Sequence, residues 1–485
     1  MAEPLLLAGE WRQGRGAISP SYFPADGSVT AEVSTASAED ANEAIEKAHQ
    51  AWPAWAALFP HQRASVLYKV SELITADLER LAQLQTRDNG KPLTETRGLV
   101  ASAAGTCRYF AAACETLEEE LTPARGTYLT MSIYEAMGVV GAITPWNSPI
   151  ASEMQKIAPA LAAGNAVVVK PADATPLLAL ELGRLFEQAG LPKGLLSILP
   201  GRGSIAGDAI VRHPLVKKVS FTGGTVTGRS LAHLAAEKLM PISLELGGKS
   251  PTIVFEDCDL EVTLQGVLYG IFSSTGQACI AGSRLFVQAS IYAQFMTELV
   301  ARTQRLRVGH PEDPTTQVGP LISAAHRHSV ESYVKLGLDE GGQLLAGGKR
   351  PEGEQYAAGS YYLPTIIGGL SNQARICQEE IFGPVLVVMP FKDESDLLAQ
   401  ANDSVFGLAA GVWTRDYQKA WRMARLLQAG TIWINTYKTF SVSAPFGGFK
   451  DSGLGREKGR QGIRAYQQQK SVYWGLNEAP NAWAY

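Results

Sequence analysis

The feature that most restricts the fold of this chain is a repeated alternation of short apolar runs with helix-length segments. AVVVK (166–170) precedes TPLLALELGRLFEQAG, LLSIL (195–199) precedes SIAGDAIVRH, and VKKVSF (216–221) precedes TVTGRSLAHLAAE. Short apolar runs bounded by turn signals and separated by helical stretches are what parallel βαβ units require, because each strand is buried on both faces. Residues 140–245 therefore read as a doubly wound α/β unit. The alternation resumes over 251–440 with PTIVF, RLFVQ, VLVVMPF, AAGVWT and TIWIN, which predicts a second α/β unit.

Ahead of these units, residues 37–118 read as mostly helical. Ser37, with Glu39 and Asp40 behind it, predicts an N-cap for AEDANEAIEKAHQAW. Pro60 opens the next helix, Asn89-Gly90 ends the one after it, and an Ala-rich helix is expected from Leu93 to Glu118. Its Cys107 and Cys114 read as small core residues. TYLTMSIYEAMGVV (127–140) and SVYWGL (471–476) have strand composition without helical periodicity. Nothing reads as an internal repeat, a low-complexity tract or a long linker.

Composition sets the class. A chain of 485 residues has room for two or three domains, and 46% hydrophobic with 19% charged residues is the balance of a globular protein. A net charge of −4 leaves no basic surplus for nucleic acid or an anionic membrane. The start, MAEPLLLAGEWRQG, has a three-leucine run but no basic n-region, and no uncharged apolar run reaches membrane-spanning length. Five cysteines (107, 114, 258, 279 and 377) fit a reducing, cytoplasmic setting better than a disulfide framework. The seven histidines are scattered, His326 and His328 being the closest pair, so no metal site is expected.

Chemistry is expected at Cys279. It lies in STGQACIAGSR, a loop of small residues after an apolar segment (Val267 to Phe272) that reads as a buried helix. A lone cysteine is most simply a structural one. Here it has company: Glu245 in LELGGKSP and Asn147 in TPWNSP. A thiol nucleophile, a carboxylate base and an amide donor are the parts that acyl transfer through a thioester needs. Two glycine-rich turns are candidates for a dinucleotide. Gly201-Arg-Gly-Ser-Ile-Ala206 matches the G-x-G-x-x-G/A spacing, but no acid follows about 20 residues on. Phe221-Thr-Gly-Gly-Thr-Val-Thr-Gly228 is the second. Each also fits an ordinary tight turn between strand and helix.

TPWN, KPAD, FTGG, LELGGKSP, GQACIAGSR, EEIFGPV and PFGGFKDSGLGRE occur in one order. In these motifs the chain resembles the NAD(P)-dependent aldehyde dehydrogenases, from about Gly9 to about Trp474. The resemblance implies an NAD(P)-binding domain (1–121 and 140–247), a catalytic domain (248–467) and a small β arm for oligomerisation (122–139 and 468–485), in a homodimer or homotetramer. It implies that Cys279 attacks an aldehyde, that Asn147 holds the oxyanion, and that Glu245 activates the water that hydrolyses the thioester, with Lys156 and Glu457 near a proton path. Taken alone, each of those last two could be half of a surface ion pair.

For the cofactor, NAD or NADP, the resemblance puts the first loop (Gly203, Gly207) near the adenosine. It puts the second (Phe221, Thr222, Gly223, Gly224, Val226) against the pyrophosphate, with Ile143, Thr144, Pro145, Trp146, Leu246, Gly247 and Phe446 also bordering the cleft. Lys170, Ala172 and Asp173 would meet the adenosine ribose; Glu380 and Phe382 would position the nicotinamide ribose. Asp173 stands where Glu is usual, and Gly224 where many members have Ser. A carboxylate at the ribose favours NAD over NADP, and the shorter Asp weakens that preference. Phe440 is expected on the substrate channel, as are Ala278 and Ile280 beside the nucleophile. Ser148, Ser152 and Gln155 are polar in a segment where many members place aromatic residues at the first and last of these positions, so a tail bearing a hydroxyl, amide or amine is expected. No Arg flanks Cys279, and Arg108 and Arg284 fall where many members carry Arg, so no clamp for a carboxylate tail is visible. Two other readings predict different behaviour: a silent cofactor-binding relative, and an enzyme passing the acyl group to coenzyme A, whose known members tend to lack a base like Glu245.

Overall fold

The computed structural model describes residues 2–476 and Trp483; residues 477–482 and 484–485 of the expected arm lie outside it. Five parallel strands form the centre of the first sheet, in the order Leu196–Ile198, Ala166–Lys170, Val139–Ile143, Val216–Thr222 and Ile242–Glu245. Every residue of Val139–Ile143 and Ala166–Lys170 is buried, as strands covered by helices on both faces must be. The edges come from elsewhere in the chain. At one side Leu5–Leu7, the three-leucine run, is a buried strand antiparallel to Leu196–Ile198, and Glu10–Arg12 pairs with it as the edge. At the far edge Gly453–Leu454 runs antiparallel to Ile242–Glu245.

The helices of residues 37–118 pack on this sheet through one continuous core. Ser37 and Asp40 make a reciprocal capping box at the start of Ala38–Ala56. Pro60 is the first residue of Pro60–Ala76, and Gly90 takes φ 78° at the end of Leu78–Asn89. The Ala-rich helix spans Leu93–Thr116 and buries both Cys107 and Cys114. The expected helix after LLSIL is split, a π-helical turn at Gly203–Gly207 running into a short α-helix at Asp208–Arg212.

The second sheet has seven strands, ordered Gln343–Ala346, Thr365–Gly368, Val385–Phe391, Arg284–Gln288, Pro251–Val254, Ala409–Trp413 and Thr431–Ile434; only the first is antiparallel to its neighbour. Alternation along its strands feeds two cores. Leu285, Val287, Leu386 and Val388 enter one, while Phe286, Val385, Val387 and Met389 enter the other. A separate three-stranded antiparallel sheet joins Gln467–Gly475 to Tyr128–Ala136 and Glu120–Thr122. The two segments of strand composition thus pair with each other, Ser471 opposite Ser132.

Candidate active site

The loop that carries Cys279 is held in an unusual backbone. Helix Leu260–Phe272 ends, and Ser274, Thr275 and Gly276 follow at φ 59°, 55° and 69°. Left-handed backbone is costly for a β-branched residue such as Thr, so it persists only where the surroundings enforce it. They do so from three sides. Glu95 accepts from Ser274 N (2.8 Å) and Ser274 Oγ (2.6 Å), Thr275 Oγ1 donates to Gly319 O (3.1 Å), and Gln277 Oε1 accepts from Ile322 N (2.9 Å). Gly276 has no alternative: a Cβ there would lie 2.1 Å from Gly383 O, in the EEIFGPV segment.

The other motifs close on the same loop. Asn147 Nδ2 donates to Gln277 O at 3.0 Å, two residues before the thiol. A Cβ on Gly248 would lie 2.4 Å from Cys279 O, so LELGG packs directly on the nucleophile's backbone. Glu245, at the end of Ile242–Glu245, is 4% exposed, and its Oε2 has no hydrogen-bond partner among the described residues. Glu380 Oε1 accepts from Gly248 N at 3.1 Å, and Gly247 leaves no room for a side chain beside that carboxylate.

Burial sets the protonation of this cluster. It pushes the Cys279 thiol up to about 12, reinforced by the charges of Glu380 and Glu245, while the N–H groups of Ile280 and Cys279 pull the other way. Burial likewise carries Glu380 up to about 7 and, with the charge of Glu457, lifts Glu245 well above the usual carboxylate range. Lys156 and Glu457 are not surface residues. Lys156 is fully buried, donates to Ser220 Oγ (3.0 Å) and pairs with Glu457, whose Oε1 also lies 3.1 Å from Ser220 Oγ. The segment that brings Glu457 there is the one that adds Gly453–Leu454 to the first sheet.

The expected substrate residues share an accessible stripe. In helix Pro149–Ala162 twelve residues are buried, and the two that are not are Ser152 and Gln155, next to half-buried Ser148 before the helix. Ala278 is half-buried and Ile280 buried beside Cys279. Phe440 is 45% exposed and meets Phe446 edge-on at 5.6 Å.

The cofactor residues fall in two groups. Lys170 donates to half-exposed Asp173 at 2.7 Å, next to half-buried Ala172. A Cβ on Gly207 would lie 3.7 Å from Lys170 and 3.9 Å from Ile143, so the π-helical turn that begins at exposed Gly203 closes over them. Thr144 N donates to Lys170 O at 3.1 Å, fixing the start of the TPWN turn. Beyond half-buried Pro145, Trp146 meets Phe382 edge-on at 5.2 Å and His326 at 5.5 Å; His326 bonds Phe382 O at 2.8 Å, and Phe382 has φ 57°. At the second loop Phe221 is buried, Thr222 and Gly223 are half-buried, and helix Thr225–Glu237 starts from Gly224 with no side-chain cap. Gly223 N donates to Glu245 O (3.0 Å), and Leu246 fills the space beside Gly228. A Cβ at Gly224 would meet nothing within 4 Å, Val226 is 82% exposed, and Thr225 Oγ1 is buried without a partner among the described residues. An uncapped helix start with an orphaned hydroxyl fits a pyrophosphate.

Sequence reasoning missed several charged groups. Lys438, Lys91 and Lys458 lie close enough to Cys279 that a thiolate there would favour their charge. They come from three separated segments with no common spacing, so only the fold gathers them. Glu95, which props the nucleophile's loop, carried no signal either.

The family model for the aldehyde dehydrogenase family matches residues 11–472. A betaine aldehyde dehydrogenase of Bacillus subtilis is 41% identical over 488 residues, covering 100% of this chain and 99% of that protein. One from Mesorhizobium japonicum is 43% identical over 460 residues, 95% of this chain and 94% of that one. The crystal structure of the Staphylococcus aureus betaine aldehyde dehydrogenase in complex with NAD+ superposes with a TM-score of 0.97 at 36% identity, over 100% of this chain and 96% of that one. With its two sheets, its site motifs and these relatives in agreement, the chain belongs to the aldehyde dehydrogenase family.

Proposed function

We propose that this enzyme oxidises an aldehyde to the carboxylic acid, using NAD(P)+ and water, through a thiohemiacetal and then a thioester on Cys279. The observation that supports this most is the meeting around one thiol of Asn147, held on the nucleophile's own loop, and the buried carboxylate of Glu245. Once deprotonated, the sulfur bonds to the carbonyl carbon, and the carbonyl oxygen takes the electron pair. That oxygen accepts from Asn147 Nδ2, released from Gln277 O, and from the Cys279 N–H. The nicotinamide, when bound, supplies the hydride acceptor. Glu245 then takes a proton from water, whose oxygen attacks the thioester carbon and expels the thiolate. A carboxylate whose affinity for protons is raised by burial is a stronger base when ionised than an exposed one, which suits this step. The chain Lys156–Ser220–Glu457 is the proposed route by which Glu245 sheds its proton.

Ile143, Lys170 and Gly207 would hold the adenosine end of the cofactor, Thr225 and the helix start behind Gly224 its pyrophosphate, and Glu380 with Phe382 its nicotinamide ribose. NAD is favoured over NADP because Asp173 puts a carboxylate beside Lys170, where a 2′-phosphate would be repelled, and because the Staphylococcus relative is complexed with NAD+. Among the described residues the proposed arm has unpaired strand edges on both sides and exposes Leu121, Tyr473 and Trp474, which supports a homo-oligomer.

Cys279→Ser should abolish production of reduced cofactor while leaving cofactor binding nearly intact, since a hydroxyl is a far weaker nucleophile than a thiolate. Turnover above a few per cent would remove Cys279 from the reaction. A silent relative would give no reduced cofactor with any aldehyde, and an acyl-transferring enzyme would turn over only with coenzyme A added.

A further inference from the structure

The charge around the thiol narrows the substrate. Lys438 is half-buried, at φ 56°, and its Nζ turns back to donate to Ser273 Oγ at 2.6 Å, 5.7 Å above the ring of Tyr269. The carboxylate whose charge acts most on this group is already engaged: Glu95 holds Ser274 through both oxygens and lies 3.8 Å from the amino group of buried Lys91. One carboxylate therefore serves two lysines and a strained loop. Lys458, 8% exposed, has its Nζ over two rings, at 4.0 Å from Phe440 and 5.2 Å from Phe446. The acid next to it in sequence, Glu457, is committed to Lys156.

Three amino groups thus act on the reacting sulfur together with the carboxylates of Glu380 and Glu245, and burial biases each of these groups toward its neutral form. Cations set in this way stabilise an anion that enters the site and oppose a second cation. Lys438 is the best placed to meet a ligand, because it borders the segment leading to Phe440 and remains partly accessible.

We infer that the preferred substrate is an aldehyde whose tail ends in a carboxylate, received by Lys438 with Lys91 and Lys458 behind it. This rests on the aldehyde-oxidising reading above and deepens it. The polar stripe of Ser148, Ser152 and Gln155 suits a hydroxyl, amide or amine tail equally; the lysines exclude the amine. They also have the wrong sign for the quaternary ammonium of betaine aldehyde, the substrate in the names of the Bacillus and Mesorhizobium relatives. Burial takes Lys438 down to about 7, ahead of the opposing influence of Glu95 and the repulsion of Lys91, so a bound carboxylate would restore the charge that the free site gives up.

The test compares succinate and glutarate semialdehydes with butanal, pentanal and betaine aldehyde on the full-length enzyme with NAD. The carboxylate-tailed compounds should exceed the alkyl ones in kcat/KM by about tenfold or more, as a charge-assisted contact allows, with betaine aldehyde below both. Lys438→Met should remove most of that advantage through KM and affect the alkyl aldehydes far less. Lys438→Glu should reverse the order of the two charged tails. Equal kcat/KM for carboxylate and alkyl tails in the native enzyme, or an equal loss for every aldehyde in Lys438→Met, would overturn the inference. Protection of Cys279 from iodoacetamide gives a readout that needs no turnover: glutarate should protect better than its uncharged diamide, glutaramide, in the native protein but not in Lys438→Met. If no aldehyde is oxidised and glutarate still protects selectively, the reaction is wrong and the anion site stands. If glutarate gives no selective protection, the anion site falls whatever the turnover.

Discussion

The loop that carries Cys279 and the loop that opens helix Thr225–Glu237 both lie between a regular element and the cleft, yet they are built by opposite means. Ser274–Gly276 is bound by Glu95, Gly319, Ile322 and the Gly383 backbone, with three successive positive φ values. Gly224 has ordinary extended backbone (φ −70°, ψ 145°), an open flank and no side-chain cap. Under the proposed function the difference follows from what each would have to do. A nucleophile has to sit within tenths of an ångström of a carbonyl carbon, so its backbone is fixed from several elements at once. A phosphate needs only free N–H groups and the positive end of a helix.

The largest effect separating the two regions should come from the base that serves the fixed loop. Glu245→Gln should allow one reduced cofactor per site in a burst and then slow steady turnover by about 10²–10⁴-fold, since thiol attack and hydride loss do not need this base while hydrolysis does. Rapid-mixing absorbance measures it, and steady turnover without a burst would assign the base elsewhere.

Next is Gly276→Ala. Left-handed backbone costs a non-glycine residue about 1–2 kcal/mol, and the Cβ would press on the Gly383 carbonyl, for which overpacking adds about 1–3 kcal/mol. A lower urea midpoint together with loss of activity is expected; a variant as stable and active as the native protein would mean that the loop is not fixed by that contact.

The thiol itself offers a pH test. With Cys279 pushed up to about 12, the thiolate fraction in the free enzyme rises about tenfold per pH unit across neutral and mildly basic pH. The rate of alkylation by iodoacetamide should therefore climb steadily from about pH 7 to pH 10. A plateau inside that range would show a more acidic thiol than the buried carboxylates permit.

Legibility in the sequence follows the same division. Both sheets, the capping of Ser37, the stop at Gly90 and the strand character of the two arm segments rest on local patterns, which survive in one dimension, whereas the pairing of those two segments came only from the family resemblance. That Cys279, Glu245 and Asn147 belong to neighbouring motifs was legible because each motif has its own local signature, and the fold packs Asn147 and the LELGG turn on the Cys279 loop. Lys438, Lys91 and Glu95 were not, because a lysine or a glutamate has the same appearance on a solvated face as beside a thiol. Lys156 and Glu457 illustrate this. They were expected near one another, but that they are buried together through Ser220 depends on the return of Gly453–Leu454 to the first sheet, and no spacing encodes it. Leu5–Leu7 was not read as a strand for a similar reason: three residues are too few for periodicity, and only the partners on either side make them part of the sheet.

The smallest effects should fall on the open side. Asp173→Glu lengthens a half-exposed carboxylate and should raise the NAD-to-NADP efficiency ratio a few-fold, or leave it unchanged if residue 173 does not face the ribose. Gly224→Ala should do less still. At φ −70° an alanine is unstrained, its Cβ meets nothing within 4 Å, and restricting the unfolded chain favours the variant by about 0.4–1 kcal/mol. The helix start keeps its N–H groups, so cofactor KM should change less than twofold while the melting temperature is unchanged or slightly raised. A large rise in cofactor KM would mean that phosphate approaches the Gly224 Cα closely, and the second loop would then be as tightly specified as the first.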